Sequence, residues 1–440
     1  RIPPPLRWWD ECGAGASLLA YETFALQTIT GIIYSMSTCI LKAYKYRLYP
    51  NTEQQEFFAK SFGCARFVWN KMLHDKIEHY EKTKTTLRNT PAQYKKEFEW
   101  LKEVDSLALA NVQLDLQRAF QSFFKSSFGF PKFKRKGIKD SYTTNNQKGT
   151  VAVTSRSIKL PKIGHIKAKI DREINGLIKS ATVSKTPAGR YFVSVLVETI
   201  VQPLPKTNSS VGIDLGITDF IVLSDKTEVV NPKFLAKYEK KLAREQRVLA
   251  RRREVAKAAN RKLSESRNYQ KQRLKVAKVY EKIANCRKDF LHKTSFDLIK
   301  NHDVIVIEDL NVKGMVKNRR LAKAISDSSW SEFATMLTYK ADWYGKQLVK
   351  IDRWFPSSKT CSGCDHVLGK GELTLAMRQW QCPNCNAVLD RDYNASINIL
   401  KEGLRYLLSS TKTLGSRELA QSICITSDGV QRTPSSLCIT

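Results

Sequence analysis

Two Cys-x-x-Cys pairs and three acids set in apolar surroundings are the residues of this chain best suited to chemistry. Cys361-Ser362-Gly363-Cys364 and Cys382-Pro383-Asn384-Cys385 stand seventeen residues apart. Each pair can present two thiolates to one ion from a tight turn, and Gly363 and Pro383-Asn384 suit such turns. Four thiolates close a tetrahedral Zn2+ site with no open position, so one structural zinc is expected. A redox motif or four unrelated core cysteines are the competing readings. His366 adjoins the first pair, but the fourth cysteine makes it unnecessary as a ligand.

The acids are Asp214, Glu308 and Asp392. Asp214 interrupts the apolar run Val211-Gly212-Ile213-Asp214-Leu215-Gly216, and Glu308 closes the run Asp303-Val304-Ile305-Val306-Ile307-Glu308. Asp392 sits in Asp390-Arg391-Asp392-Tyr393-Asn394-Ala395, where a helix opens. Singly, each reads as a solvated or capping acid. Together, an acid in a first strand, one ending a later strand and one opening a C-terminal helix resemble the layout of RNase H-like nucleases. Phosphodiester hydrolysis needs an activated water and a stabilised leaving oxygen. Two Mg2+ ions supply both, and carboxylates are the ligands Mg2+ prefers. Three converging carboxylates repel one another until metal relieves them. Asp214 is expected to bridge the two ions, with Glu308 and Asp392 flanking. Asp309 and Asp390 are the neighbours most easily confused with them. Gly216 is expected to let a phosphate or metal approach the backbone. Arg391 either contacts the scissile phosphate or forms a structural salt bridge.

The elements that must position these groups follow from pattern. Residues 40–49 roughly alternate apolar and basic, a half-buried strand stopped by Pro50. Thr52 and Gln55 make a capping box for a helix carrying Phe58, Phe62, Ala65, Trp69, Leu73, Ile77 and Tyr80 at helical spacing. A second helical block, residues 91–128, has Leu107, Val112, Leu116, Phe120 and Phe124 on its apolar face, read as core rather than base-stacking. Short strands then run to residue 201, followed by a linker. Residues 233–293 read as a packed helical hairpin with about fifteen more positive than negative charges.

The chain has 440 residues, enough for two or three domains, and 74 Lys and Arg against 42 Asp and Glu, a net charge of +32. Such a surface attracts polyanions and gains entropy by releasing their counterions, so a nucleic-acid partner is expected. The candidate contacts are Lys45 and Arg47 on the first strand, then Lys132, Lys134 and Arg135. Thr144 and Asn145 lie in a polar run where duplex reading is plausible, and Arg251, Arg252, Arg253 and Arg391 complete the set. Paired Cys-x-x-Cys motifs in a Lys-rich chain point to an intracellular protein, cytoplasmic or nucleoid-associated. Residues 17–34 are mostly apolar, but Glu22 and Gln27 interrupt them and no convincing cleavage site follows. Met36 looks like a natural start, so residues 1–35 are expected to be an extension outside the fold.

From about Met36 to Leu407 the chain resembles TnpB, a transposon-encoded family related to type V CRISPR effector nucleases. The resemblance rests on Tyr46-Arg47-Leu48-Tyr49-Pro50, Cys64-Ala65-Arg66-Phe67-Val68-Trp69-Asn70 and Gly129-Phe130-Pro131-Lys132-Phe133-Lys134. It continues through Gly212-Ile213-Asp214-Leu215-Gly216, Ile307-Glu308-Asp309-Leu310, Phe355-Pro356-Ser357-Ser358-Lys359-Thr360-Cys361 and the Asp390–Ala395 run. It implies a multidomain α/β protein. Its parts would be a wedge β-barrel (36–50 and 130–207) and a helical recognition insertion (51–129). A RuvC-like nuclease domain (208–360 and 386–407) with an inserted zinc ribbon (361–385) would follow, then a flexible tail (408–440). It further implies a non-coding guide RNA as cofactor and partner, and target double-stranded DNA cut beside a short duplex motif. Asp214, Glu308 and Asp392 match the family's three catalytic positions. The alternatives are a nucleic-acid-binding accessory or regulatory protein of a transposon, and a transposase.

Overall fold

The computed structural model describes residues 38–125, 128–138, 140–369, 371–374 and 376–414. The extension 1–35 and the tail beyond residue 414 lie outside them. Among the described residues no helix is long and apolar enough to cross a membrane.

The N-terminal half is built on one antiparallel sheet. Its strands are β1 (Thr38–Leu48), β2 (Asp140–Asn145), β3 (Ala152–Val153), β4 (Ser157–Leu160), β5 (Gly164–Lys169), β6 (Leu177–Lys185) and β7 (Tyr191–Val201). They lie in the order β2-β6-β7-β1-β5-β4-β3. β1 and β7 pair along their full length, from Thr38 opposite Val201 to Leu48 opposite Tyr191. The expected barrel does not close: β2 and β3 are the two edges, and β3 has only two residues with which to continue the ladder.

Two helical runs cover this sheet. Helix α1 (Thr52–Thr83) opens with a capping box in which Asn51 Oδ1 accepts from the Gln54 amide at 2.8 Å and Gln54 Oε1 from the Asn51 amide. The box therefore sits one residue earlier than the Thr52/Gln55 reading. α1 buries Phe58, Phe62, Trp69 and Leu73 as expected, whereas Tyr80 is exposed. The second block divides into α2 (Pro91–Glu97), a 3-10 turn (Glu99–Lys102) and α3 (Ser106–Phe124). α3 buries Val112 and Leu116, and Phe120 packs against the same core. Phe124 does not follow: it is exposed, stacked on Phe120, in a surface group with Phe123 and Phe130.

The second half is a five-stranded mixed sheet in the order β10-β9-β8-β11-β12. It consists of β8 (Ser210–Leu215), β9 (Asp219–Leu223), β10 (Glu228–Val230), β11 (Val304–Glu308) and β12 (Gln347–Ile351). β8, β9 and β10 form an antiparallel meander, while β11 runs parallel to both β8 and β12. One face packs against α5 (Arg267–Asn301) and α8 (Trp330–Tyr344) through Val211, Ile213, Ile305, Ile307 and Phe333. The opposite face takes α9 (Arg391–Leu414), with Ile399 against Val306 and Ile351. The basic hairpin forms as α4 (Phe234–Ala258) against α5, closed by Leu242, Val276, Val279 and Ile283. Between β11 and α8 lie two short helices, α6 (Val312–Met315) and α7 (Ala322–Ser328).

Candidate active site

Side chains alternate along a strand, so Gly212 and Asp214 share one face of β8, and Val306 and Glu308 share one face of β11. Val306 packs against α9, and a Cβ on Gly212 would lie 2.6 Å from the Leu400 nitrogen and closer still to the Ser396 carbonyl. Gly212 thus lets α9 lie directly on the sheet, on the face that carries Asp214 and Glu308. The parallel ladder ends with Ile213 opposite Ile307, so one step further each strand presents its acid. α9 begins at this same edge and brings Asp392 in its first turn.

Glu308 and Asp392 both act electrostatically on Asp214. Burial, then the charges of Glu308 and Asp392, push Asp214 up to about 8, against the opposing pull of Arg391. Glu308 is raised by burial, and Ser357, whose Oγ donates to Glu308 Oε1 at 2.6 Å, pulls the other way. Arg378 Nη1 donates to Asp392 Oδ2 at 2.7 Å, and its second nitrogen to Thr218 Oγ1 at 3.3 Å. The sequence reading missed Ser357 and Arg378. Ser357 belongs to the Phe355–Cys361 motif already singled out, while Arg378 is one cation among many with no motif to mark it.

The neighbouring acids have other work. Asp390 Oδ1 accepts from the backbone amides of Asp392 and Tyr393, so it caps α9. Asp309 is ion-paired with Arg353. Arg391 donates to the Thr374 carbonyl at 3.2 Å while its charge acts on Asp214. Gly216 is small for a local reason: a Cβ there would overlap the Asp219 carbonyl in the β8–β9 turn.

The four cysteines form a metal-ligand cluster, with their sulfurs all within 4.8 Å of one another. Cys361 Sγ is 3.6 Å from Cys385 Sγ, and Cys364 Sγ is 3.6 Å from Cys382 Sγ. The two turns match: the Cys361 amide donates to the His366 carbonyl, and the Cys382 amide to that of Ala387. His366 therefore contributes its backbone. β13 (Gln379–Gln381) and β14 (Val388–Asp390) form a hairpin around the second turn, and β14 runs straight into α9. Asn394 and Asn398 of α9 reach back to the Thr360 carbonyl, and Asn398 also to that of Ser357. One helix therefore carries Asp392, holds the loop that presents Ser357 to Glu308, and anchors the cysteine module. Among the described residues, His74, Asp75 and Glu78 also lie close together, but Asp75 is held by Lys71 and Tyr94.

The candidate nucleic-acid contacts scatter. Arg251 and Arg253 are exposed on α4, whereas Arg252 ties the hairpin by donating to the Asn268 carbonyl. Lys45 lies over the Phe192 ring, Arg47 over Tyr49, and Lys134 over Trp69 at 3.7 Å. Lys132 and Arg135 are exposed beside it. Thr144 is fully buried and donates to Asp105, which removes it from any surface contact. Asn145, half-buried, accepts from Asn111 at 3.3 Å.

Residues 192–319 match a family model described as "Probable transposase", and residues 330–399 one described as "Cas12f1-like, TNB domain". Residues 36–85 match a "Helix-turn-helix domain", although from residue 38 this stretch folds as β1 and the single helix α1. A protein of Streptomyces pristinaespiralis named "Putative RNA-guided DNA endonuclease" is 38% identical over 83% of this chain and 90% of its own length. InsQ of Escherichia coli, with the same description, is 31% identical over 87% of this chain and 97% of itself. A "TnpB-like protein" of Acanthamoeba polyphaga mimivirus is 27% identical over 49% of this chain and 41% of itself. The chain belongs to the TnpB family. Its fold is that of the protein in a Cas12f1-sgRNA-target DNA complex, with a TM-score of 0.53 over 82% of this chain and 98% of that one at 13% identity.

Proposed function

We propose that this TnpB-family chain is an RNA-guided, metal-dependent DNA endonuclease whose cleavage centre is Asp214, Glu308 and Asp392. The observation that carries the reading is their convergence at one edge of a sheet ordered as in RNase H-like nucleases, in a chain closely related to proteins named RNA-guided DNA endonucleases.

The residues fit a pair of divalent ions. Asp214 is raised by burial and by its two acidic neighbours, a repulsion that cations relieve, and all the donors are hard oxygens. Asp214, Glu308 and Asp392 would hold the ions. Bound Mg2+ would supply an activated water and charge stabilisation for the leaving oxygen. Ser357 orients Glu308. Arg378, held between Asp392 and Thr218, would offer its guanidinium to the phosphate.

The cysteine cluster fits zinc. Sulfurs about 2.3 Å from a tetrahedral ion lie roughly 3.8 Å apart, close to the observed 3.6 Å. The site is closed, so its role is to fix the hairpin that delivers Asp392. The basic helices and the exposed cations near residue 132 would hold the RNA and DNA backbones. Guide RNA and target DNA are the partners this reading requires.

The test is to purify the chain with its RNA, sequence that RNA, and offer complementary DNA in Mg2+. RNA from the chain's own locus should co-purify, and Asp214→Ala should keep the RNA while abolishing cleavage. Unchanged cleavage in that variant would remove the site assignment. The "Probable transposase" match supports a second reading, strand transfer at the same acids. Products whose ends are joined to new DNA, instead of hydrolysed ends, would favour it.

A further inference from the structure

The loop between β12 and the cysteine module presents a side chain that the reaction as described does not use. Trp354 is 84% exposed, the most exposed of the large apolar side chains among the described residues. A lone exposed indole is ordinary on a protein surface. What sets this one apart is that every residue around it is fixed. Asp352 Oδ1 accepts from the Trp354 amide at 2.7 Å, and Arg353 is tied to Asp309 beside the catalytic Glu308. Phe355 packs into the core between α9 and the sheet, and Ser357 is bonded to Glu308. The loop is therefore pinned on both sides of Trp354 while the indole itself stands in solvent. Ser357 is three steps along the chain from Trp354, so its backbone lies within roughly 11 Å of that of Trp354.

We propose that Trp354 is a stacking platform for a nucleobase of the DNA strand being cut, next to the scissile phosphate. An aromatic face accepts any base, so such a contact positions the strand without reading its sequence. Holding the neighbouring nucleotide flat against a rigid indole would fix the phosphate over the three acids, which is the step where orientation counts most. The excess positive charge of the chain favours a polyanion over an apolar protein surface as the occupant. Trp354 is thus a positioning residue. The inference rests on the nuclease reading.

The experiment uses the protein with its co-purified RNA and a labelled single-stranded DNA complementary to the guide segment of that RNA, in Mg2+. Trp354→Ala should slow single-turnover cleavage by about tenfold, within the range that one base–aromatic stack supplies, without changing the affinity for uncut DNA in chelator by more than twofold. Trp354→Phe should restore most of the rate. A single abasic nucleotide, scanned along the strand around the mapped cut, should slow the wild type at one position by a similar factor. At that position it should have no further effect on Trp354→Ala. Full cleavage by Trp354→Ala, or abasic effects that multiply with the substitution at every position, would overturn the proposal. If Trp354→Ala instead lowers affinity for the co-purified RNA, the indole belongs to the RNA and the proposal also fails. A wild type that never cleaves would refute the nuclease reading itself, a separate outcome.

Discussion

Replacing Asp214 by Asn should stabilise the metal-free protein while destroying its activity. Folding raises the Asp214 carboxyl from 3.8 to about 8, chiefly by burial and then by Glu308 and Asp392. A carboxyl raised in this way stabilises the fold below its unfolded value, and the contribution is lost as pH climbs toward the folded value. At pH 7 the unfolded chain would carry the charge freely and the folded chain would resist it. At about 1.4 kcal/mol per unit, the gap between 3.8 and 7 sets a ceiling near ~4 kcal/mol. Asp214 retains partial contact with solvent, whose screening brings the expected cost to ~2 kcal/mol. Asp214→Asn removes that cost. In chelator its unfolding midpoint should exceed that of the wild type by several degrees at pH 7 to 8, and the two should converge near pH 4. Added Mg2+ should then stabilise the wild type and not the variant, with a proton released on binding. Denaturation at a series of pH values, with and without Mg2+, measures all of this. Equal stabilities from pH 4 to 8 would show that neither burial nor the neighbouring acids raise Asp214, and the reasoning about the site would fall.

Further outcomes follow from neighbouring contacts. Ser357→Ala removes the hydrogen bond that lowers the Glu308 carboxyl, so the acid limb of the pH–rate profile should move to higher pH, with a loss of roughly threefold to tenfold at pH 6 and less at pH 8. Gly212→Ala drives a methyl into α9 and should cost about 3 kcal/mol in denaturation and most of the cleavage. Metal analysis should find one zinc per chain, and Cys382→Ser should abolish it and cleavage with it, because the hairpin leading to Asp392 loses its clamp. Thr144→Val should cost roughly 1–3 kcal/mol of stability through the abandoned Asp105 carboxylate, yet leave the preference among DNA targets unchanged.

Asp214 and Glu308 stand out in the sequence because carboxyls are costly in apolar strands and ask for a reason there. The cysteines were legible because their spacing is itself a geometric statement. Thr144 was misread although strand parity speaks against surface exposure: it shares a face with Tyr142, and both are buried. Phe124 failed in the opposite way: helical periodicity runs to the last residue of α3, where its ring stacks on Phe120 at the surface. Barrel closure depends on which backbone edges meet, and an alternating pattern is the same in open and closed sheets. Arg378 owes its place to the β13–β14 hairpin, a contact across 14 residues to Asp392 and 160 to Thr218 that no local signal announces.

The direct passage from β14 into α9 makes the angular phase of that helix a matter of single residues. Because each helical residue turns by about 100°, one residue added or lost between the Asp390 cap and Asp392 would swing the acid to another side of the axis. Length changes within the cysteine module can be absorbed in its loops, whereas this junction tolerates none. The spacing Asp-x-Asp is in that sense a ruler, read from the Asp390 cap to the Asp392 carboxyl.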